Sequence, residues 1–194
     1  MPQFTCLTPL GEVTLTQEDD AIVALDWGRG RDQTPTPLLR EAIGQLQDYF
    51  DGTRTAFTLP LAPHGSAFQS RVWQALRDIP HGEVRSYGDL ARHLGTAARA
   101  IGQANGANPI PILIPCHRVV AAGGAKNSSL AAGGAKNSIF SAGGALGGYS
   151  GGEGPETKRF LLTLEARLVR AAPGAPPQAE LFPPKSSLAG PSQP

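Results

Sequence analysis

An apolar run at residues 110–114, Ile-Pro-Ile-Leu-Ile, leads directly into a cysteine and a histidine. Such a run is typical of a buried segment, so Cys116 and His117 are expected at the edge of a core rather than on a mobile loop. A thiol is a nucleophile only as its thiolate, and an adjacent imidazole is able to take its proton near neutral pH. Because most buried cysteines are inert core residues, the pair alone does not establish catalysis.

The composition indicates a soluble globular protein of one or two small domains, with 194 residues of which 40% are hydrophobic. No apolar run is long enough to cross a bilayer, and the first residues lack the features of a secretion signal, so we expect a cytoplasmic monomer that does not bind membranes. Two cysteines and four scattered histidines give no disulfide framework and no zinc spacing, and we expect no metal. His64, His81 and His93 are expected at the surface.

The charge is divided unevenly along the chain. Residues 1–67 hold 4 Arg and Lys against 9 Asp and Glu, whereas residues 68–170 hold 12 against 6. The positive charge therefore lies in the part that contains Cys116, as a surface that binds nucleic-acid phosphates requires. A basic face that is simply solvated explains the same asymmetry equally well.

The pattern of residues 1–62 predicts a small α/β domain. Alternating β-like sequence, interrupted by turn residues, predicts a meander of three strands at residues 3–7, 12–16 and 21–26. An apolar stripe with helical spacing predicts a helix over 37–50. A further strand is predicted over 55–59, and a linker at 63–66.

Residues 67–170 are expected to form a second, mostly helical domain. After a first helix from residue 67, a helix over 87–94, a tight turn with Gly95 and a helix over 97–107 have the layout of a helix-turn-helix. The second of these helices is rich in Ala and Gly, which lets its backbone approach another surface closely. A narrow DNA groove suits that composition, and packing against another helix suits it equally. The last helix is predicted over 158–169.

Two segments carry the composition of flexible chain. Residues 121–146 contain a repeat with a period of ten, in which Ala-Ala-Gly-Gly-Ala-Lys-Asn-Ser occurs twice. So few copies, rich in Gly, Ala and Ser, cannot bury enough apolar surface to form a solenoid, so a flexible loop is predicted. Residues 171–194 are Pro-rich and polar, and are predicted to be disordered.

The thirteen residues 108–120, Asn-Pro-Ile-Pro-Ile-Leu-Ile-Pro-Cys-His-Arg-Val-Val, resemble the active-site signature of the O6-alkylguanine-DNA alkyltransferases. Residues 85–91 are similar to the first helix of that family's DNA-binding unit, 97–102 to its recognition helix and 149–152 to its substrate-pocket segment. The resemblance implies an α+β fold, with a small N-terminal β-meander or ribonuclease-H-like domain and a mostly helical C-terminal domain that holds a winged-helix-like helix-turn-helix.

The resemblance implies direct repair of DNA. Such a protein, a methylated-DNA--[protein]-cysteine S-methyltransferase, moves an alkyl group from O6 of guanine, and less efficiently from O4 of thymine, onto its own thiol. It acts once, without a cofactor, on double-stranded DNA. Because the target atom faces the base-pair interior, the nucleotide must be rotated out of the stack into a pocket.

The resemblance also implies the catalytic residues. Cys116 is the nucleophile, His117 acts as its base through a water, and Glu165 holds the imidazole. Tyr87 donates its hydroxyl proton toward N3 of the guanine, so that the leaving base is neutral. The neighbouring Arg118 either makes a structural ion pair or supports the DNA face.

The remaining implied roles concern DNA and the pocket. Arg99 occupies the space left by the flipped base, and the small residues Ala98 and Ala100 let the helix enter the minor groove. Five residues are expected to form the pocket. Val119 and Ser150 contribute backbone groups, Tyr149 and Pro111 form its walls, and Asn108 fixes a turn. Asn108 is expected to bond the turn before the cysteine through its side chain.

The chain departs from the family pattern in its length between Cys116 and Tyr149. Removing residues 121–140 restores an ordinary member, and closing a longer flexible loop costs only about 0.6 kcal/mol per doubling of its length. The insertion is either a passive duplication or a loop that adds contacts to DNA and the pocket; we favour the passive duplication. In the tail, Gln178, Leu181 and Phe182 are similar to the peptide by which bacterial repair proteins bind the sliding clamp.

Two other classes of function remain as alternatives. One is a damage sensor, or helix-turn-helix DNA binder, that recognises altered guanine without reacting. Sensors of that kind lack the cysteine, which this chain has at position 116. The other is a cysteine hydrolase, which requires an oxyanion hole that no motif in the sequence suggests.

Overall fold

The computed structural model of the chain describes residues 1–122 and 146–171. In these residues a small antiparallel sheet and one helix precede a largely helical part, and this confirms the α+β class expected from the sequence. The elements in chain order are β1 (Gln3–Thr8), β2 (Gly11–Glu18), β3 (Ala21–Trp27), α1 (Pro37–Phe50), α2 (Ala67–Arg77), β4 (Arg85–Ser86), α3 (Tyr87–His93), α4 (Ala98–Gly106), a single 3-10 turn (Cys116–Arg118), β5 (Val119–Val120) and α5 (Pro155–Ala171).

The first three strands form the predicted meander in the order β1-β2-β3. Gly11, which begins β2, has a φ of 96°, a value that favours glycine, so the tight turn from β1 is possible. Helix α1 covers the sheet and buries Leu39 and Leu46, as its apolar stripe predicts. Thr36 caps this helix, since its hydroxyl accepts a hydrogen bond from the Leu39 N–H at 3.1 Å.

The strand predicted over residues 55–59 is wrong. Only Leu61 pairs with the sheet, in a single bridge to Ile22. Thr58 is instead held by the side chain of Gln45, which accepts from the Thr58 N–H at 3.0 Å and donates to its hydroxyl at 2.9 Å. Pro60 has no N–H to continue a ladder, so the pairing ends at one bridge.

Helices α3 and α4 form the predicted helix-turn-helix, and Gly95 turns between them with a φ of 63°. One face of α4 packs inward through Ile101 and Ala104, and the indole N–H of Trp73 on α2 donates to the Ala104 carbonyl at 2.9 Å. The opposite face of α4, which carries Arg99, is exposed. The small residues of this helix therefore serve helix packing on one side and leave the other side accessible.

The segment after α4 passes through the core. Every residue of 110–120 is buried, which confirms the expectation from its apolar run. Its last two residues form β5, which pairs in parallel with β4. Helix α5 begins at Pro155, three residues before the predicted start, and packs Leu161 and Leu162 inward. No helix in the described part of the chain is both long and apolar enough to span a membrane.

A buried cysteine, histidine and glutamate beside a cavity

Cys116 begins the 3-10 turn and is only 4% exposed. The loop before it is fixed by Asn108, whose amide nitrogen donates to the Ile114 carbonyl at 2.9 Å and whose amide oxygen accepts from the Ile110 N–H at 3.1 Å. Ile112, at the centre of this loop, has a φ of 73°, which is unusual for a β-branched residue. A strained loop held by an asparagine therefore presents the thiol.

Burial raises the pKa of the Cys116 thiol, while the neighbouring Asn108 amide and Lys158 ammonium act in the opposite direction. The net effect is upward, so the thiol is protonated near neutral pH. It requires a base before it becomes a nucleophile.

His117 follows on the same turn and is fully buried. Its Nε2 atom lies 2.8 Å from Glu165 Oε1, and because a carboxylate only accepts, this nitrogen carries the proton. Burial lowers the pKa of His117, although the Glu165 carboxylate opposes that shift. The ring is thus neutral, and its Nδ1 atom has no hydrogen-bond partner among the described residues. A neutral imidazole with a free nitrogen is able to accept a proton.

Glu165, on α5, is fully buried and gathers donors from three other parts of the chain. These donors are the Tyr49 hydroxyl at 2.9 Å, His117 Nε2 at 2.8 Å, Arg118 Nη2 at 2.9 Å and the Gly82 N–H at 2.9 Å. Burial alone raises the pKa of this carboxyl, but the charge of Arg118 and the hydrogen bond from His117 outweigh it and hold the pKa well below its ordinary value. Glu165 is therefore an anion that orients the His117 ring.

Arg118 takes the first of the two roles left open by the sequence, since it forms a buried ion pair with Glu165. Its Nε atom also lies within 3.2 Å of both carboxylate oxygens, and its Nη1 atom donates to the Ile79 carbonyl at 2.7 Å. The guanidinium faces inward, away from any DNA surface.

Tyr49 was missed as a site residue because the sequence placed it only on the apolar stripe of α1. A buried tyrosine needs a hydrogen-bond partner for its hydroxyl, and that requirement could have indicated that Tyr49 bonds a polar group in the core. His81 is a correction: it is half-buried rather than at the surface, and its ring lies edge-on to the Tyr49 ring with the centroids 6.1 Å apart. Its neighbour Gly82 bonds Glu165, and this contact draws the turn inward.

A cavity of about 640 Å³ opens between α3, α4 and the segment after residue 146. The described residues that line it are Tyr87, Ala98, Arg99, Gly102, Asn105, Gly106, Gly148, Tyr149 and Ser150. Five of these were singled out from the sequence. Ala100, Pro111 and Val119 were also singled out but are absent from this lining, the last two being buried.

Cys116 lies against the wall of the cavity rather than on its surface. Asn105 donates to the Cys116 carbonyl at 3.4 Å, and the Tyr149 hydroxyl is buried beside the thiol without hydrogen-bond geometry. Burial and the nearby Cys116 raise the pKa of Tyr149, which is therefore neutral.

The rest of the cavity is joined by hydrogen bonds to backbone carbonyls. The Tyr87 hydroxyl donates weakly to the Gly148 carbonyl at 3.4 Å, and burial raises its pKa. Ser150 Oγ donates to the Gly106 carbonyl at 3.0 Å. These bonds hold the segment after residue 146 against α3 and α4.

Lys158 is a further site residue that the sequence reasoning missed, since residue 158 was only the predicted start of the last helix. It is completely buried, and its Nζ atom donates to the carbonyls of Val119 at 2.6 Å and Gly148 at 3.2 Å. Burial lowers the pKa of Lys158 to about 8, and the nearby Cys116 partly opposes that shift. The ammonium ties the cavity wall to β5 and favours the thiolate of Cys116.

Some predicted features fall on residues outside the described part of the chain. They are most of the repeat predicted over 121–146, at residues 123–145, and the tail from residue 172 onward, with Gln178, Leu181 and Phe182. Among the described residues, no group of His, Cys, Asp and Glu side chains is placed to hold a metal ion.

Comparison with known proteins matches both halves of the chain to family models. Residues 5–63 match the ribonuclease-like domain of 6-O-methylguanine DNA methyltransferase, and residues 67–139 match its DNA-binding domain. The chain is 43% identical over 174 residues to the constitutive methylated-DNA--protein-cysteine methyltransferase of Bacillus subtilis, covering 83% of this chain and 93% of that protein. It is 40% identical over 172 residues to the corresponding protein of Mycolicibacterium paratuberculosis, covering 82% and 89%.

Solved structures agree with this match. The crystal structure of Mycobacterium tuberculosis OGT in complex with DNA superimposes with a TM-score of 0.69 at 37% identity, covering 87% of this chain and 94% of that one. A crystal structure of the M. tuberculosis O6-methylguanine methyltransferase gives a TM-score of 0.63 at 35% identity, covering 90% and 96%.

Proposed function

This chain belongs to the methylated-DNA--protein-cysteine methyltransferase family, and we propose that Cys116 is the thiol that receives the alkyl group. The protein binds DNA and repairs it by direct reversal, transferring the alkyl group of O6-alkylguanine to its own cysteine. The proposed substrate is double-stranded DNA, with O4-alkylthymine as a poorer lesion. The observation that carries the assignment of the thiol is the position of buried Cys116 directly before His117, a neutral imidazole that Glu165 holds at 2.8 Å.

In the proposed reaction the thiol proton passes through a water to Nδ1 of His117. The sulfur of Cys116 then attacks the alkyl carbon, so that an S–C bond forms as the bond between carbon and O6 breaks. Tyr87 gives its hydroxyl proton to N3 of the departing guanine, and the proton held on His117 afterwards returns to Tyr87 through solvent. Glu165 stabilises the imidazolium in the interval, and no cofactor is consumed.

The pocket roles follow the same proposal. The flipped base enters the cavity between α4 and Tyr149, with Ser150 contributing its backbone N–H toward O6. The Val119 carbonyl accepts from the 2-amino group of the guanine, since its oxygen has one donor, the Lys158 ammonium, and retains a second lone pair. The Cys116 carbonyl, the other acceptor that the resemblance implies, already accepts from the Asn105 amide and the Val119 N–H. Pro111 and Asn108 shape the loop behind the thiol.

The DNA-binding roles rest on the exposed face of α4. Arg99 lies on the rim of the cavity and is exposed, which supports its insertion into the stack where the base has left. Ala98 is also exposed and Ala100 is half-buried, so the two residues that flank Arg99 in the chain add little bulk against a narrow groove.

The test of the proposed function is intact-mass measurement after mixing the protein with an oligonucleotide that contains O6-methylguanine. We expect the mass to rise by one methyl group, which peptide mapping locates on Cys116, and no rise for Cys116→Ser. An unchanged wild-type mass at equimolar dose, with the lesion still bound, contradicts the proposal and leaves the damage-sensor alternative.

The remaining proposals concern organisation and partners. The two family models meet between residues 63 and 67, which supports domains at 1–62 and 67–170 joined by a short linker. The protein is proposed to act as a monomer in the cytoplasm, where a reducing environment keeps Cys116 as a free thiol.

The tail is proposed to bind the bacterial sliding clamp through Gln178, Leu181 and Phe182. Exposed aromatic residues are unusual in a polar, Pro-rich segment, which supports a role in binding. A tail peptide is expected to bind purified clamp, and Leu181→Ala with Phe182→Ala is expected to abolish binding. Equal binding by both peptides contradicts the proposal.

A further inference from the structure

Asn105 carries a buried hydrogen-bond acceptor without a partner at the wall of the cavity. Its side chain is 5% exposed and lines the cavity. The amide nitrogen donates to the carbonyl of Cys116, and because a carbonyl only accepts, this contact fixes which end of the amide is oxygen. The Oδ1 atom is buried and has no hydrogen-bond partner among the described residues.

The backbone that presents Asn105 is held rigidly. The preceding residue, Ala104, is buried and its carbonyl accepts from the indole of Trp73 at 2.9 Å. An unpaired acceptor in a rigid site is costly, and native proteins rarely keep one without a purpose. Of the other polar side chains at this wall, Ser150 and Tyr87 donate to carbonyls, whereas the Tyr149 hydroxyl lies beside the thiol without a hydrogen-bond partner among the described residues.

The chemistry of the substrate shows which donor fits this acceptor. In O6-alkylguanine the alkyl group has removed the proton from N1, so that N1, N3 and N7 are all acceptors. The exocyclic 2-amino group is the only N–H donor that the base retains. An acceptor that faces the flipped base therefore has one possible partner on it.

We propose that Asn105 determines specificity for guanine by accepting a hydrogen bond from the 2-amino group through Oδ1. This inference rests on the proposed function. The amino group has two protons, so Asn105 takes one while a backbone carbonyl takes the other. The same amide holds the Cys116 carbonyl, which links recognition of the base to the position of the nucleophile. O4-alkylthymine has no N–H donor on its base, and it leaves Asn105 unpaired.

The experiment compares two oligonucleotides, one with O6-methylguanine and one with O6-methylhypoxanthine, which lacks only the 2-amino group. Second-order rates of methyl transfer are measured for the wild type, Asn105→Leu and Asn105→Ala. A site built to bond an N–H group rejects the analogue that lacks it, so we expect the wild type to prefer guanine by about tenfold or more. In both variants we expect the ratio of the two rates to fall toward one, chiefly through an approximately tenfold to hundredfold loss on guanine.

The ratio distinguishes recognition from a structural role. If Asn105 acts only by holding Cys116, both substrates slow equally and the ratio stays at its wild-type value, which overturns the proposal. An unchanged rate on both substrates overturns it as well. Gln47→Leu, an exposed change on α1 outside the cavity lining, is the control and is expected to keep the wild-type ratio. If the wild type itself takes a methyl group from neither substrate, the proposed function fails rather than this inference.

Discussion

The hydrogen bond from Tyr49 to Glu165 joins α1 to α5 and allows a quantitative prediction. Tyr49→Phe removes the hydroxyl but keeps the ring, which packs against Phe50, Phe57 and His81. A hydrogen bond to a charged group contributes about 1.5–3 kcal/mol. Glu165 keeps its other donors in the variant, so no buried charge is left without a partner and the lower part of this range applies. We expect the free energy of unfolding to fall by about 1.5–2 kcal/mol.

Urea unfolding of the wild type and Tyr49→Phe measures this difference, with an unchanged m-value showing that the surface exposed on unfolding is the same. The melting temperature is expected to fall by about 3–8 °C for a protein of this size. Tyr87→Phe is the matched control, because its hydroxyl makes only a weak bond at 3.4 Å, and we expect a change below about 0.5 kcal/mol.

A double-mutant cycle tests the partner assigned to Tyr49. In the Glu165→Gln background the carboxylate is absent, so the further cost of Tyr49→Phe is expected to shrink by about half or more. A loss below about 0.5 kcal/mol in the wild-type background refutes the reasoning. So does an equal loss in both backgrounds, because the bond to the carboxylate then contributes nothing.

Four further predictions concern Glu165, Lys158 and the insertion at residues 121–140. Glu165→Gln leaves the buried Arg118 without a counter-charge, so we expect a loss of about 3–5 kcal/mol in urea unfolding, whereas a loss below about 1 kcal/mol is incompatible with the ion pair. Because the pKa of Glu165 is lowered in the folded state, its contribution to stability is present above the ordinary carboxyl pKa and is lost as the pH falls below it. Between about pH 6 and 3, the free energy of unfolding should therefore fall less steeply in Glu165→Gln than in the wild type. Lys158→Met removes a charge that favours the Cys116 thiolate, so iodoacetamide should alkylate Cys116 more slowly in the variant than in the wild type below about pH 8. Above that pH Lys158 loses its proton, and the two alkylation rates should become equal. Equal rates at neutral pH contradict this prediction. Deleting residues 121–140 is expected to leave methyl transfer intact, and a large loss of rate or DNA affinity argues for a functional loop instead.

Local sequence patterns were sufficient for most of the architecture. The meander, α1 and the helix-turn-helix follow from apolar periodicity and turn residues, which act over a few positions of the chain. The strand predicted over 55–59 did not form because strand pairing needs free backbone N–H and C=O groups. The Gln45 side chain already bonds the Thr58 N–H, and Pro60 has no N–H to donate. Cys116 and His117 were found because they are adjacent, and the resemblance supplied Glu165.

The contacts that give these residues their chemistry join distant parts of the chain, and tertiary packing decided them. Tyr49 and Glu165 are separated by 116 positions, and no periodicity indicates that they meet. The burial of Lys158, the inward turn of His81 and the free oxygen of Asn105 likewise depend on which helices pack together. Apolar patterns specify which face of an element is buried, because contact with any apolar neighbour stabilises a buried apolar side chain. Buried polar groups need particular partners at particular distances, and only the folded chain determines those.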